Sequence, residues 1–182
     1  MIRIKNDFYP TPSKLTEKLV SKINPTGIIL EPCVGDGDIA IALPEHCYVV
    51  TNDIDREKEA DTHEDASAPL YWQSQIVDWV ITNPPFNQAS EILPLAWARS
   101  RVGCAFLLRI TYLEPTQKRR DWMIENVDHL QFILPVNPRV RFRKDSKGTD
   151  STTVAWFVWR KDFSWEELGI DCPFSFLVNW EK

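Results

Sequence analysis

DWVITNPPFNQ, Asp78 to Gln88, joins a β-prone run to a segment that no sheet can continue. Val80, Ile81 and Thr82 are β-branched and suit a pleated, buried strand. Asn83-Pro84-Pro85-Phe86 ends it, because neither proline nitrogen can donate to a ladder. The element before the prolines is therefore a strand over Ile76 to Thr82, and an amide and an aromatic ring stand at its carboxyl end.

Working outward, other short apolar runs end in the same abrupt way. Gly27 to Leu30 flows into Glu31-Pro32-Cys33-Val34-Gly35-Asp36-Gly37, and Tyr48 to Thr51 stops at Asn52-Asp53. Strands are also predicted over 102–110, 129–134 and 152–159. Helical spacing is expected after Thr11-Pro12, with Thr11 as N-cap and Pro12 at the first helical position. Further helices are predicted over 38–43, over 89–101 with a kink or shortening from Pro94, and over 117–126. Ser164-x-x-Glu167 has the spacing of a capping box before a short last helix. Strands alternating with helices predict an α/β fold: one Rossmann-like sheet, mainly parallel, with a C-terminal antiparallel hairpin. Ligands of such sheets bind at the carboxyl ends of the strands.

At 182 residues the expectation is a single domain over 1–182. No run approaches a membrane span, and Met1 to Pro12 lacks the apolar core of a secretory signal, so a cytoplasmic protein is expected. Cys33, Cys47, Cys104 and Cys172 stand far apart without a CxxC pair, which argues for reduced thiols and against a metal site. The net charge of −5 hides an asymmetry. Residues 1–98 carry 7 basic and 15 acidic side chains, whereas residues 99–147 carry 11 basic and 5 acidic. A basic segment in an acidic protein suits either a polyanion or plain solvation.

The polar clusters fall just after the strands. Gly35 and Gly37 allow a tight turn and a close approach to a ligand, and Glu31 can accept from an ammonium or a hydroxyl group. Position 40 is Ala, so the G-x-G-x-x-G of a dinucleotide site is incomplete, and no GKS or GKT supports a P-loop. Asp53 lies 22 residues beyond Glu31, near the roughly 20-residue interval of a ribose-binding carboxylate. Taken alone, with Asn52 and Asp55 beside it, it reads better as an exposed turn residue.

FYPTP (8–12), EPCVGDG (31–37), TNDID (51–55) and NPPF (83–86), in that order, resemble the class I S-adenosylmethionine-dependent methyltransferases, more narrowly the amino-group N6-adenine DNA methyltransferases. The resemblance implies S-adenosylmethionine as cofactor, held by Tyr9, Thr11 and Pro12 over the methionine end. Glu31, Gly35 and Gly37 would cradle methionine and ribose, with Asp53 on the ribose, Ile54 on the adenine face and Asp65 on the exocyclic amine. It implies catalysis by Asn83, Pro84, Pro85 and Phe86. An adenine amino group is a poor nucleophile, since its lone pair is delocalised into the ring. The Asn83 side-chain oxygen and the Pro84 carbonyl would each accept one N–H and aim the lone pair at the methyl group. The prolines stiffen the loop that carries these acceptors. Phe86 would stack on the base, an interaction worth on the order of 1–3 kcal/mol.

A base in a duplex must be flipped out, or be single-stranded, to reach such a site. Arg139, Arg141, Phe142, Arg143 and Lys144 mix cations with an aromatic ring and are expected to hold DNA. The same basic run also reads as a charged hairpin loop. No target-recognition domain is expected within 1–182. Methylation of an RNA base amine or of a protein glutamine amide uses the same Asn-Pro-Pro chemistry and stays open. So does a non-catalytic nucleic-acid-binding module.

Overall fold

The computed structural model describes residues 10–114, 116–140 and 153–175. Tyr9, Arg141, Phe142, Arg143 and Lys144 therefore lie outside the described residues. In chain order the elements are α1 (Ser13–Ile23), β1 (Ile28–Glu31), α2 (Asp38–Ile41), β2 (Tyr48–Thr51), α3 (Pro69–Trp72), β3 (Val77–Thr82), α4 (Ala89–Arg99), β4 (Ser100–Arg109), α5 (Gln117–Asn126), β5 (Leu130–Pro135) and β6 (Val154–Arg160). One six-stranded sheet has the order β2-β1-β3-β4-β6-β5. The pairs β1–β2, β1–β3 and β3–β4 are parallel, and β6 runs antiparallel to both β4 and β5. This is the α/β sheet with a C-terminal antiparallel hairpin that the sequence predicts.

The two faces of the sheet explain why β4 and β6 read as unbroken apolar runs rather than alternating ones. Cys104, Phe106 and Leu108 face one side with Phe157 and Trp159, against Ile92, Leu93 and Ala96 of α4 and Met123 of α5. Ala105 and Leu107 face the other side with Trp156 and Val158, against Leu19 and Ile23 of α1 and Ile39 of α2. Strands covered on both faces bury successive residues, so alternation disappears. No helix among the described residues is long and apolar enough to cross a membrane.

Gly103 of β4 fits this packing through its missing side chain. A Cβ there would stand 2.4 Å from the Trp159 carbonyl oxygen and 2.9 Å from the Trp79 ring. Gly103→Ala is expected to lower stability by about 1–3 kcal/mol, the usual range for overpacking. A urea midpoint unchanged in the variant would contradict this packing.

Two local expectations need correction. Thr11 does not cap α1: Pro12 is the N-cap residue, with no side-chain cap bond, and the helix starts at Ser13. Thr11 is buried instead, and its hydroxyl accepts from the Asn83 amide at 3.0 Å. Pro94 stands inside α4, which runs through it from Ala89 to Arg99, two residues short of the Arg101 expected from the sequence. Burial of Ile92, Leu93 and Ala96 outweighs a proline cost of roughly 3 kcal/mol. The Ser164 capping box forms without a helix. Ser164 Oγ accepts from Glu167 N at 3.1 Å, but Asp128 takes the Glu166 amide at 2.9 Å and Gly169, at φ 68°, turns the chain away. Residues 165–169 are turns.

Candidate active site

The strand order reverses on either side of β1, since the chain steps to β2 on one flank and to β3 on the other. At that switch point the carboxyl ends of β1, β2 and β3 open a cleft of about 300 Å³. Seven of the residues singled out in the sequence line it: Thr11, Glu31, Asp53, Ile54, Asp65, Asn83 and Pro85. They come from separated segments, brought together because each follows, or packs against, a strand end.

Glu31 ends β1 and is buried, 1% exposed, with its Oε2 lacking any hydrogen-bond partner. Burial is the main force raising its carboxyl well above the ordinary value of 4.5, while the Ala40 amide pulls the other way. A buried carboxylate oxygen left unpaired at the floor of a cleft is costly, and it is suited to receive a cationic donor. The loop after Glu31 turns through Gly35 at φ 57° and Gly37 at φ 81°, both left-handed, and Gly37 caps α2. Gly35 and Gly37 thus shape the wall without lining the cleft.

Asp53 ties two loops together. Its Oδ2 accepts from Gly35 N at 2.9 Å and its Oδ1 from Asp55 N at 2.9 Å. A carboxylate offers about four acceptor positions, so two remain for a diol. Ile54 stands beside it, 58% exposed. An apolar side chain held open at a cleft wall suits a flat ring. Asp65 uses Oδ1 for Ser67 N at 2.8 Å and for Ser67 Oγ at 2.7 Å.

At the third strand end, Asn83 donates from Nδ2 to Thr11 Oγ1. That bond fixes the two ends of the amide, with Oδ1 as the acceptor end. Pro84 is buried and Pro12 exposed. Neither lines the cleft. Phe86 faces elsewhere: it lines a second cleft of about 200 Å³, and the Arg109 guanidinium lies 4.5 Å above its ring. Arg139 is exposed, beyond the end of β5.

Some functional residues are not evident in the sequence. Asn52 is wholly buried, and its amide makes four bonds. Nδ2 donates to the Pro32 and Glu64 carbonyls, both at 3.0 Å, and Oδ1 accepts from Thr62 Oγ1 at 2.8 Å and Glu64 N at 2.9 Å. It staples the loops after β1 and β2. Lys58 bridges to Asp36 at 2.6 Å, and both line the cleft. Cys33 is also in the wall, and removal from water, reinforced by Asp53 and Glu31, pushes its thiol far up. A thiol held protonated is not a nucleophile.

Electrostatics narrow the ligand further. Among the described residues, eight carboxyl side chains line the cleft (Glu31, Asp36, Asp38, Asp53, Asp55, Glu57, Glu64 and Asp65) against the single cation of Lys58. Such a cleft repels phosphates and attracts a cation.

No family model and no curated protein matches the chain. Solved structures do. A modification subunit of a putative type I restriction enzyme from Vibrio vulnificus superposes with a TM-score of 0.67 at 15% identity, over 86% of this chain and 45% of that one. The fold is that of the class I methyltransferases. A type I restriction-modification system methyltransferase subunit from Streptococcus thermophilus gives 0.61 at 12% identity, over 85% and 45%. A putative class I S-adenosylmethionine-dependent methyltransferase from Listeria monocytogenes gives 0.59 at 13% identity, over 96% and 64%. The chain thus spans about half the length of the first structures it matches. In the methyltransferase fold so defined, the acidic cleft sits at the switch point of the sheet, where α/β folds bind ligands.

Proposed function

We propose that the protein transfers a methyl group from S-adenosylmethionine to the N6 amino group of adenine in DNA. One observation carries this reading: the same acidic cleft is lined by Glu31, a buried carboxyl whose Oε2 has no hydrogen-bond partner among the described residues, and by Asn83 and Pro85 of the Asn-Pro-Pro loop. S-adenosylmethionine is a sulfonium and an ammonium joined to a nucleoside, which matches a cleft of carboxylates with an exposed isoleucine. NAD and nucleoside triphosphates bring phosphates, and the same carboxylates oppose them. When bound, the cofactor supplies an electrophilic methyl group.

The chain's residues then have distinct tasks. Glu31 Oε2 pairs with the ammonium, Asp53 with the ribose hydroxyls and Asp65 with the adenine amine, while Ile54 packs on the adenine face. Gly35, Gly37 and Pro12 set the backbone around them, and Tyr9 belongs to the same N-terminal segment. Thr11 fixes the Asn83 amide. Asn83 Oδ1 and the Pro84 carbonyl each accept one N–H of the target amine, drawing its nitrogen out of conjugation. Pro85 keeps this loop stiff, and Phe86 supplies an aromatic surface beside it. Arg139, Arg141, Phe142, Arg143 and Lys144 contact the DNA strand. The likeness to modification subunits of restriction enzymes favours DNA as the acceptor over RNA or a protein amide.

Labelled S-adenosylmethionine, offered with single- and double-stranded unmethylated DNA and with total RNA, tests the reading. Digestion to nucleosides and mass spectrometry are expected to find the label in N6-methyldeoxyadenosine. Label in an RNA nucleoside would replace the substrate, and no label in either nucleic acid would overturn the proposed transfer to an adenine amine.

A further inference from the structure

The second cleft, beyond Phe86, has the opposite electrostatic character. Phe86, Asn87 and Thr111 form part of its lining, with Arg109 at the end of β4 on one wall and Arg119 of α5 on the other. Arg109 lies over the Phe86 ring at 4.5 Å, and its Nε is buried without a hydrogen-bond partner. Arg119 is clamped from behind: Nε donates to Ser90 Oγ at 3.2 Å, and Nη1 donates to the carbonyls of Tyr112 at 3.2 Å and Glu114 at 3.1 Å. Its plane also stacks on Tyr112 at 4.5 Å. Those bonds engage Nε and Nη1 and keep Nη2 for another acceptor. Among the described residues neither arginine is in an ion pair with a carboxylate.

Two guanidinium groups line one small cleft with no carboxylate among its described lining residues. Their fixed donors match the oxygens of a phosphate, to which a guanidinium donates charge-assisted hydrogen bonds. The volume of about 200 Å³ accommodates a phosphate group and excludes a folded polypeptide. The cleft also opens from the acceptor loop itself, three residues along the chain from Asn83.

From this we infer that Arg109 and Arg119 form a phosphodiester subsite, which grips the strand next to the target nucleotide and so presents its base to Asn83. The subsite rests on the proposed reading of the acceptor loop and deepens it by assigning the substrate to the polyanions. The acceptor loop thus separates two fields: carboxylates hold a cationic cofactor on one side, and guanidinium groups hold an anionic strand on the other. A glutamine side chain of a protein would bring nothing for these cations to bind.

The test is the salt dependence of binding of a fluorescent single-stranded deoxyoligonucleotide in the presence of S-adenosylhomocysteine. Removing one cation from a phosphate should reduce the slope of log affinity against log salt by about 0.7. Arg109→Met keeps the packing on Phe86 and removes the charge. It is expected to weaken binding about tenfold at low salt, the size of one charge-assisted hydrogen bond, and to lower the slope by one such unit. Arg109→Lys should recover the slope, because counterion release counts charge. Arg119→Gln gives an independent second reading should either variant misfold. Affinity for S-adenosylhomocysteine alone should stay within about twofold, since both arginines lie outside the cofactor cleft.

A slope equal to that of the unaltered protein in both charge-removing variants overturns the subsite. If DNA still receives labelled methyl in that case, the proposed activity stands and only the phosphate grip falls. Failure of the unaltered protein both to bind the oligonucleotide and to methylate DNA overturns the two together.

Discussion

Asn83→Ala is expected to lower the rate of methyl transfer by about 10²–10³-fold, the cost of removing one preorganised polar group from a site where charge shifts. The effect should fall on kcat rather than on binding. Asn83 Oδ1 holds the target amine only as its nitrogen becomes tetrahedral, whereas the cofactor is held mainly by the carboxylates across the cleft. S-adenosylhomocysteine titrated calorimetrically into the variant should therefore bind within about twofold of the unaltered protein. The Thr11 bond to Asn83 Nδ2 makes the experiment sharper. Alanine removes both the acceptor and the donor that orients it, so no alternative amide rotamer can rescue the reaction. A variant retaining more than about a tenth of the rate would place the essential acceptor elsewhere.

Glu31→Gln is expected to weaken S-adenosylhomocysteine by about 30-fold or more, since removing one charge of a buried, hydrogen-bonded pair costs about 2–5 kcal/mol. The free protein should respond the other way. The folded-state value of Glu31 lies above the unfolded 4.5, because burial opposes its ionisation. Its contribution to stability is therefore complete below 4.5 and is lost as pH rises through the raised folded value. Glutamine cannot ionise, so the variant should match the unaltered protein at acid pH and become the more stable of the two in alkali. Cofactor affinity of the unaltered protein follows the opposite trend, strengthening as pH rises through that same value, because the ammonium needs the ionised carboxylate. Thermal melts from about pH 4 to 9, with and without S-adenosylhomocysteine, read both slopes. A stability difference between Glu31→Gln and the unaltered protein that stays constant across the range would show that Glu31 is not the buried acid described.

Much of the fold was legible because its strands are short apolar runs bounded by residues that cannot extend them. Asn83-Pro84-Pro85 ends β3 by chemistry alone, and the paired faces of β4 and β6 read as continuous hydrophobic sequence. The candidate site was legible for a related reason. An open parallel sheet gathers strand ends at one edge, so Glu31, Asp53 and Asn83 had to converge once the strands were placed. What was illegible depends on partners far away in the chain. Thr11 looks like a helix cap locally, and only Asn83, 72 residues later, draws its hydroxyl away. Asn52 looks like a turn residue, because its bonds to Pro32, Thr62 and Glu64 cross two loops. Ser164 carries the correct spacing for a helix start, yet Asp128 competes for the next amide. Phe86 reads as a base platform, and nothing near it in sequence announces that Arg109 lies over its ring.

The crowd of carboxylates around the cofactor cleft also bears on how a cycle ends. Methyl transfer turns a positively charged sulfonium into a neutral thioether, so the attraction that helped fill the cleft is partly withdrawn at the moment its work is complete. Under the proposed activity the acids of the lining therefore favour the charged donor over the spent product by a full unit of charge. Because exposed carboxylates are screened beyond a Debye length of about 8 Å at physiological salt, only those close to the sulfur contribute. The preference is therefore a property of the cleft lining rather than of the protein's overall charge.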